Sequence, residues 1–257
     1  MNDTAMLSDE ELLRYSRQIL LQQIDIDGQL RLKHSRVLIV GVGGLGSPVA
    51  LYLAAAGVGE LHLADFDTVD MTNLQRQVLH DTASVGQSKV DSASARLLAI
   101  NPNIRLQCHR QALDSDSLAD AVAAVDLVLD CSDNFSTRES VNAACVAARV
   151  PLVSGAAIRL EGQISVFDPR REDSPCYHCI YGHGSDAELT CSEAGVAGPL
   201  VGLVGSLQAL EALKLLAGFG EPLVGRLLLV DALNSRFREL RVKRDVGCEV
   251  CGVKHGE

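Results

Sequence analysis

Apolar residues recur along the chain in two alternating patterns. Ser35-Arg36-Val37-Leu38-Ile39-Val40 is an unbroken β-branched and aliphatic run, as a strand buried on both faces requires. It enters the glycine turn Gly41-Val42-Gly43-Gly44-Leu45-Gly46, after which Ser47-Pro48 opens a predicted helix through Ala56. A second strand, Glu60 to Ala64, ends on Asp65. Upstream, Ser8-Asp9-Glu10-Glu11 has the form of a capping box and predicts a helix from Asp9 to Gln23. Leu12, Leu13, Tyr15, Ile19 and Leu20 supply its apolar faces, and Arg14 and Arg17 project on a common side. Downstream, strands are predicted at Arg105 to His109, Asp126 to Asp130, Val150 to Ser154, Gln163 to Phe167, Leu227 to Val230 and Phe237 to Val242. Helices are predicted at Ser115 to Val125, from after Asn134 through Ala148, and at Leu200 to Ala217. Alternating β and α of this length predicts a mostly parallel sheet covered on both faces.

The order strand, glycine turn, helix, strand, acid is that of a dinucleotide-type βαβ unit. Glycines let backbone amides and a helix N-terminus approach phosphate, and Asp65 is placed to accept from ribose hydroxyls. The segment Asp65 to Gln77 follows the second strand, where an open α/β sheet places its ligand crevice. Arg76 and Lys89 suit phosphoryl or nucleotidyl transfer, in which negative charge gathers on phosphate oxygens. Each could instead be a surface charge. Asp133 at a later strand end suits Mg²⁺, with a helix N-cap as the competing role for Asp133-Asn134. No P-loop pattern occurs.

Composition narrows the field. With 257 residues and about 150 per typical domain, and no repeat, linker or low-complexity tract, one continuous domain is preferred. The 23 Lys+Arg against 33 Asp+Glu give −10, which argues against a general grip on nucleic acid or an anionic membrane. Four Tyr, five Phe and no Trp argue against a base-stacking platform. The acidic, polar amino terminus shows no signal peptide, which predicts a cytoplasmic chain. The least polar stretch, Ala194 to Leu207, is roughly 14 residues long, too short to span a bilayer, and is expected to be a loop followed by a buried helix.

The eight cysteines include the matched pairs Cys176-x-x-Cys179 and Cys248-x-x-Cys251. Four thiolates suit tetrahedral Zn²⁺ in a structural role, redox disulfides being the alternative. Cys108, Cys131 and Cys145 read as small core residues. Cys191, in a loop before a glycine-rich segment, is a candidate reactive thiol.

Across nearly its whole length the chain resembles the MoeB/ThiF branch of the ubiquitin-activating-enzyme-like adenylyltransferases. The resemblance lies in Arg14-Tyr15-Ser16-Arg17-Gln18, Gly41 to Gly46, Thr72-Asn73-Leu74-Gln75-Arg76-Gln77, Lys89, Asp133-Asn134 and both Cys-x-x-Cys pairs in order. The stretch Val153 to Gln163 looks more like MoeB-like members than ThiF-like ones. The resemblance implies a Rossmann-like sheet continuing into a mixed-sheet half with a four-cysteine zinc site. It divides one adenylyltransferase domain into an N-terminal helical segment (1–30), a nucleotide-binding half (31–155) and a carrier-binding and zinc half (156–257).

The implied reaction is adenylation of the C-terminal glycine of a small ubiquitin-like sulfur carrier with a Gly-Gly tail, using ATP and Mg²⁺ and releasing pyrophosphate. The carrier expected is the molybdopterin synthase small subunit, with the thiazole sulfur carrier as the alternative. By resemblance, the nucleotide site comprises Gly41, Gly43, Gly44, Gly46, Asp65, Asp67, Thr72, Asn73, Leu74, Gln75, Arg76, Lys89, Asp133 and Asn134. Asp133 holds Mg²⁺, Arg76 and Lys89 stabilise phosphate charge, and Arg17 comes from the neighbouring subunit of a homodimer. The chain ends six residues after Cys251, so a fused rhodanese-like domain is not expected and a separate sulfur donor is implied. Cys191 aligns with a cysteine that ThiF-like members link covalently to their carrier, and is left outside the catalytic set. An NAD-dependent dehydrogenase and a non-catalytic zinc scaffold are the readings from other classes.

Overall fold

Along β1 (Arg36–Val40), successive side chains enter opposite layers: Val37 and Ile39 join one core cluster, Leu38 and Val40 the other. Both layers are buried and apolar, which is why the strand reads as an uninterrupted apolar run. The structure is a computed structural model and describes residues 6–182 and 194–252. Its strands continue with β2 (Glu60–Ala64), β3 (Arg105–His109), β4 (Leu127–Asp130), β5 (Leu152–Ile158), β6 (Glu161–Phe167), β7 (Arg226–Asp231) and β8 (Arg236–Arg241). They form one sheet in the order β3-β2-β1-β4-β5-β6-β7-β8. Pairing is parallel from β3 through β5 and antiparallel from β5 to β8. The sheet is therefore parallel in its first half, antiparallel in its second and mixed as a whole, and it runs without a break across position 155. Strand order reverses between β1 and β4, which opens a crevice at their carboxyl ends.

The helices are α1 (Asp9–Arg14), α2 (Ser16–Ile19), α3 (Asp25–His34), α4 (Gly46–Ala56), α5 (Lys89–Ile100), α6 (Ser115–Ala123), α7 (Phe135–Ala148), α8 (Tyr177–Tyr181) and α9 (Gly198–Ala217). Residues of α3, α4, α5 and α9 fill one layer, and residues of α6, α7 and α8 fill the other.

The single helix expected over Asp9 to Gln23 is broken. The Ser8 capping box forms, but α1 stops at Tyr15, which is buried and whose hydroxyl accepts from Asn101 Nδ2 at 2.8 Å. Holding Tyr15 there divides the segment into α1 and α2, and Arg14 and Arg17 do not share one helical face. Arg14 donates to the Ile100 carbonyl at 2.9 Å, while Arg17 is exposed.

The apolar stretch from Ala194 leads, as expected, through a short loop into a buried helix, which is longer than the apolar stretch alone suggested. Its helix, α9, has 20 residues and is long and apolar enough to cross a membrane by length and composition. Here Leu200, Val204, Ala209 and Ala212 are buried against the sheet and α4. Its two charges are satisfied internally: Lys214 pairs with Glu211 at 2.6 Å, and Glu211 also accepts from the Leu223 amide at 2.7 Å.

Candidate active site

Three strand ends build one cavity. After β1 the chain turns through Gly41, whose φ of +87° and proximity to Cys131 exclude a side chain: a Cβ would lie 2.9 Å from the Cys131 carbonyl oxygen. At Gly46, the first residue of α4, a Cβ would stand 1.9 Å from the Gly41 carbonyl oxygen. The turn can fold tightly enough to start α4 at the crevice because those two positions carry nothing. Asp65, at the end of β2, braces it: one carboxylate oxygen accepts from the Val42 amide and the other from the Asp67 amide, each at 2.9 Å. His80 supports the turn from beneath, its Nε2 on the Val42 carbonyl at 3.1 Å and its Nδ1 on the Ser92 hydroxyl at 2.9 Å. Burial lowers the His80 pKa, keeping the ring neutral in that position.

The third wall follows β4. Asp130 is fully buried, and burial raises its pKa. Its carboxylate holds the Ser132 amide at 3.0 Å and the Ser132 hydroxyl at 2.6 Å, fixing the descent into Asp133. Asn134 is the N-cap of α7, accepting from the Thr137 amide at 2.9 Å. The two roles left open for Asp133-Asn134 are thus divided: Asn134 caps, and Asp133 stands exposed on the cavity wall.

The cavity measures about 300 Å³ and is lined by Gly41, Gly43, Gly44, Asp65, Asp67, Arg76, Lys89, Asp133 and Asn134 among the sequence-predicted residues. Lys89, the first residue of α5, is buried and reaches Asp67 Oδ2 at 2.8 Å. Arg76 is half-buried and donates to the Thr72 carbonyl at 3.1 Å. Two of the predicted cations, three acids and a glycine turn therefore converge on one cavity.

Gly46, Thr72, Asn73, Leu74, Gln75 and Arg17 do not line the cavity. Gly46 acts through the turn geometry. Thr72 and Asn73 lie in a 3-10 turn, Met71–Asn73, capped by Asp70, whose carboxylate accepts from the Thr72 amide at 2.8 Å. Gln75 sits against the start of α9, where a Cβ on Gly198 would meet its carbonyl oxygen at 2.6 Å. The cavity also takes in Phe66, Gln77 and Arg138, absent from the predicted site. Arg138 had a signal, lying one helical turn beyond the Asn134 cap.

Apart from this cavity, the sulfurs of Cys176, Cys179, Cys248 and Cys251 lie within 4.8 Å of one another. Neighbouring Sγ atoms are 3.8 Å (Cys176–Cys179), 3.7 Å (Cys176–Cys248) and 3.4 Å (Cys179–Cys251) apart, and none is bonded in a disulfide. A tetrahedron of thiolates at a Zn–S distance near 2.3 Å has edges of about 3.8 Å, so the set fits zinc. The surrounding donors also suit bound thiolates. The Asp245 and Cys251 amides point at Cys179 and Cys248 sulfurs at 3.5 Å, and Asn142 Nδ2 at the Cys176 sulfur at 3.7 Å. The shared hydrogen bond with Cys176 pulls the Cys179 thiol down to about 4. By contrast, burial pushes up the thiols of Cys108, Cys131 and Cys145, in keeping with their place in or beside the core. Cys191 lies outside the described residues.

A Rossmann-like sheet with a cation-bearing crevice at its carboxyl edge and a separate four-cysteine centre defines a class of α/β nucleotide-site proteins. Within that class the ThiF family model matches residues 15–250, and the chain belongs to the ThiF family. It is 56% identical over 248 residues to the molybdopterin-synthase adenylyltransferase of Escherichia coli strain K12, covering 96% of this chain and 99% of that one. It is 49% identical over 251 residues to the sulfur carrier protein ThiS adenylyltransferase of the same strain, covering 98% and 99%. Among solved structures, E. coli MccB with ATP is similar at 26% identity and a TM-score of 0.81, over 96% of this chain and 76% of that one.

Proposed function

We propose that this chain is an adenylyltransferase that transfers AMP from ATP to the C-terminal glycine of a small ubiquitin-like sulfur carrier, the molybdopterin synthase small subunit. The observation that carries the reading is the convergence of Arg76, Lys89 and Asp133 with the glycine turn on one cavity. A carboxylate oxygen of the carrier attacks the α-phosphorus in line, the bond to the bridging oxygen breaks, and pyrophosphate leaves with that oxygen. No general base is needed, because a C-terminal carboxylate is ionised near neutral pH. Arg76 and Lys89 face the phosphate charge that builds in the transition state, and Asp65 receives the ribose. Positioning both reactants in one crevice supplies much of the rate advantage.

Asp133 is the residue that would hold Mg²⁺, which when bound neutralises phosphate charge. The four-cysteine set would hold a structural zinc, since four protein ligands leave no position for water. The unbroken sheet supports reading 1–257 as one adenylyltransferase domain. Arg17, which does not line its own cavity, is assigned to the cavity of a second copy in a homodimer. The free thiols fit a reducing, cytoplasmic setting, and a separate protein supplies the sulfur.

ATP–pyrophosphate exchange tests the reading, run with the molybdopterin synthase small subunit and with the thiazole sulfur carrier separately, using Asp133→Ala as control. Exchange with the first carrier is the expected result. Exchange with the second alone moves the assignment to the thiazole sulfur carrier; the 49% identical relative is likewise named for a sulfur carrier protein, ThiS. No exchange with either overturns adenylation.

A further inference from the structure

Helix α7 lines the candidate nucleotide cavity along its first half and touches the four-cysteine centre at Asn142. Its first turns carry Ser136, Thr137 and Arg138 on the cavity wall, directly after Asp133 and Asn134. Two turns on, Asn142 is buried at 1% exposure and uses both ends of its amide. Its Oδ1 accepts at 2.9 Å from the amide of Tyr177, the first residue of α8, and its Nδ2 points at the Cys176 sulfur. One turn earlier, Glu139 Oε2 meets His178 Nδ1 at 2.8 Å. The intervening residue of the metal loop, Tyr177, packs its ring on Phe135, the first residue of α7, with centroids 6.2 Å apart. The same ring also meets Phe167 edge-on at 6.2 Å and Tyr181 at 4.6 Å.

The α8 segment is thus held to α7 at three positions, Phe135, Glu139 and Asn142, along the same part of the helix whose other side chains, from Ser136 to Val141, line the cavity. We propose that Asn142 is a positioning residue that couples the four-cysteine metal centre to the nucleotide cavity through α7. Cys176 fixed by zinc fixes Tyr177 and the Asn142 amide, which together set the lie of α7 and so the direction in which Asp133 and Asn134 enter the cavity. A packed helix moves as a body, so slack at the Cys176 end is felt at the Asp133 end. The coupling rests on the proposed nucleotide site. It is an equilibrium quantity and therefore reciprocal: if zinc tightens nucleotide binding by a factor, nucleotide tightens zinc retention by the same factor.

The test is competition between the zinc-loaded full-length protein and a chromophoric chelator, with and without a non-hydrolysable ATP analogue and Mg²⁺. Nucleotide affinity is measured on the same zinc-loaded samples by calorimetry. In the wild type the analogue should tighten zinc retention about fivefold or more. In Asn142→Ala and Asn142→Leu, checked by circular dichroism for a retained fold, that factor should fall toward one although both ligands still bind. Glu139→Gln, which keeps a hydrogen-bonding end for His178, should retain most of it. Nucleotide binding with no effect on zinc in the wild type overturns the coupling and leaves the site reading standing. An unchanged factor in both Asn142 variants overturns the role of Asn142. Failure of the analogue to bind the zinc-loaded wild type overturns the nucleotide site and this inference together.

Discussion

Lys89 Nζ lies 2.8 Å from Asp67 Oδ2, an ion pair in which the lysine is buried and the acid half-open to water. Both line the cavity, so the ammonium that would meet a phosphate is held in place by a carboxylate able to turn outward. Removing that carboxylate leaves a buried cation unpaired. Asp67→Asn should lower the stability of the nucleotide-free protein by about 1–3 kcal/mol, with part of the loss recovered on adding an ATP analogue. Thermal unfolding with and without the analogue checks this; a variant as stable as wild type in both conditions removes the pairing argument.

The glycine turn predicts a contrast among three glycines. Gly46→Ala places a methyl 1.9 Å from the Gly41 carbonyl oxygen, which cannot be relieved without moving the turn. It should destabilise by about 2–4 kcal/mol and abolish nucleotide binding. Gly41→Ala is strained both by its φ of +87° and by the Cys131 carbonyl, and should behave alike. Gly202→Ala, in the interior of α9 with nothing within 4 Å, should be neutral or stabilising by up to about 1 kcal/mol. Denaturant titration of the three variants decides it.

If Arg17 serves the cavity of a second copy, losing Arg17 from one subunit and Asp133 from the other damages the same cavity and leaves the second cavity of the dimer intact. Arg17→Ala and Asp133→Ala homodimers should each lose about 10²-fold or more in exchange activity. Mixing and re-annealing the two should restore about one working site per heterodimer. Exchange that stays at the level of the separate mutants would place Arg17 outside the reaction.

Two histidines set a pH dependence. Burial lowers the pKa of His80, and burial with the nearby His62 lowers that of His109. Unfolded, both titrate near 6.5, so below that pH the unfolded chain binds protons that the folded one refuses. Their contribution to stability is complete above about pH 6.5 and is lost as pH falls toward the folded pKa values. Unfolding free energy should therefore drop between pH 7 and pH 5, and His80→Gln should flatten that slope. The same slope in wild type and variant would mean that His80 does not titrate in this range.

Much of the site was legible because its signals are local. The capping box at Ser8, the apolar run into Gly41 to Gly46 and the two Cys-x-x-Cys pairs each declare their chemistry within a few residues, since turns, caps and metal ligation constrain neighbouring positions. The α5 helix was legible in principle, through buried Val90, Ala93 and Leu97 at helical spacing, but its serines and Asp91 blurred the pattern. The break at Tyr15 was not, because it depends on Asn101, far along the chain.

From sequence alone follow the alternating α/β class, the glycine turn, the four thiols and the identity of the cations and acids, all of which short-range sterics and residue chemistry determine. Tertiary structure alone decided that Asn134 caps α7 while Asp133 is left for the cavity, that Lys89 rests on Asp67, and that the apolar Gly198–Ala217 helix is spent on the core. It also decided that Asn142 joins the two centres. Apart from the Asn134 cap, which is local and was one of two readings of its sequence, these are pairings between groups remote in sequence, chosen by which strand ends and helix faces the sheet order brings together.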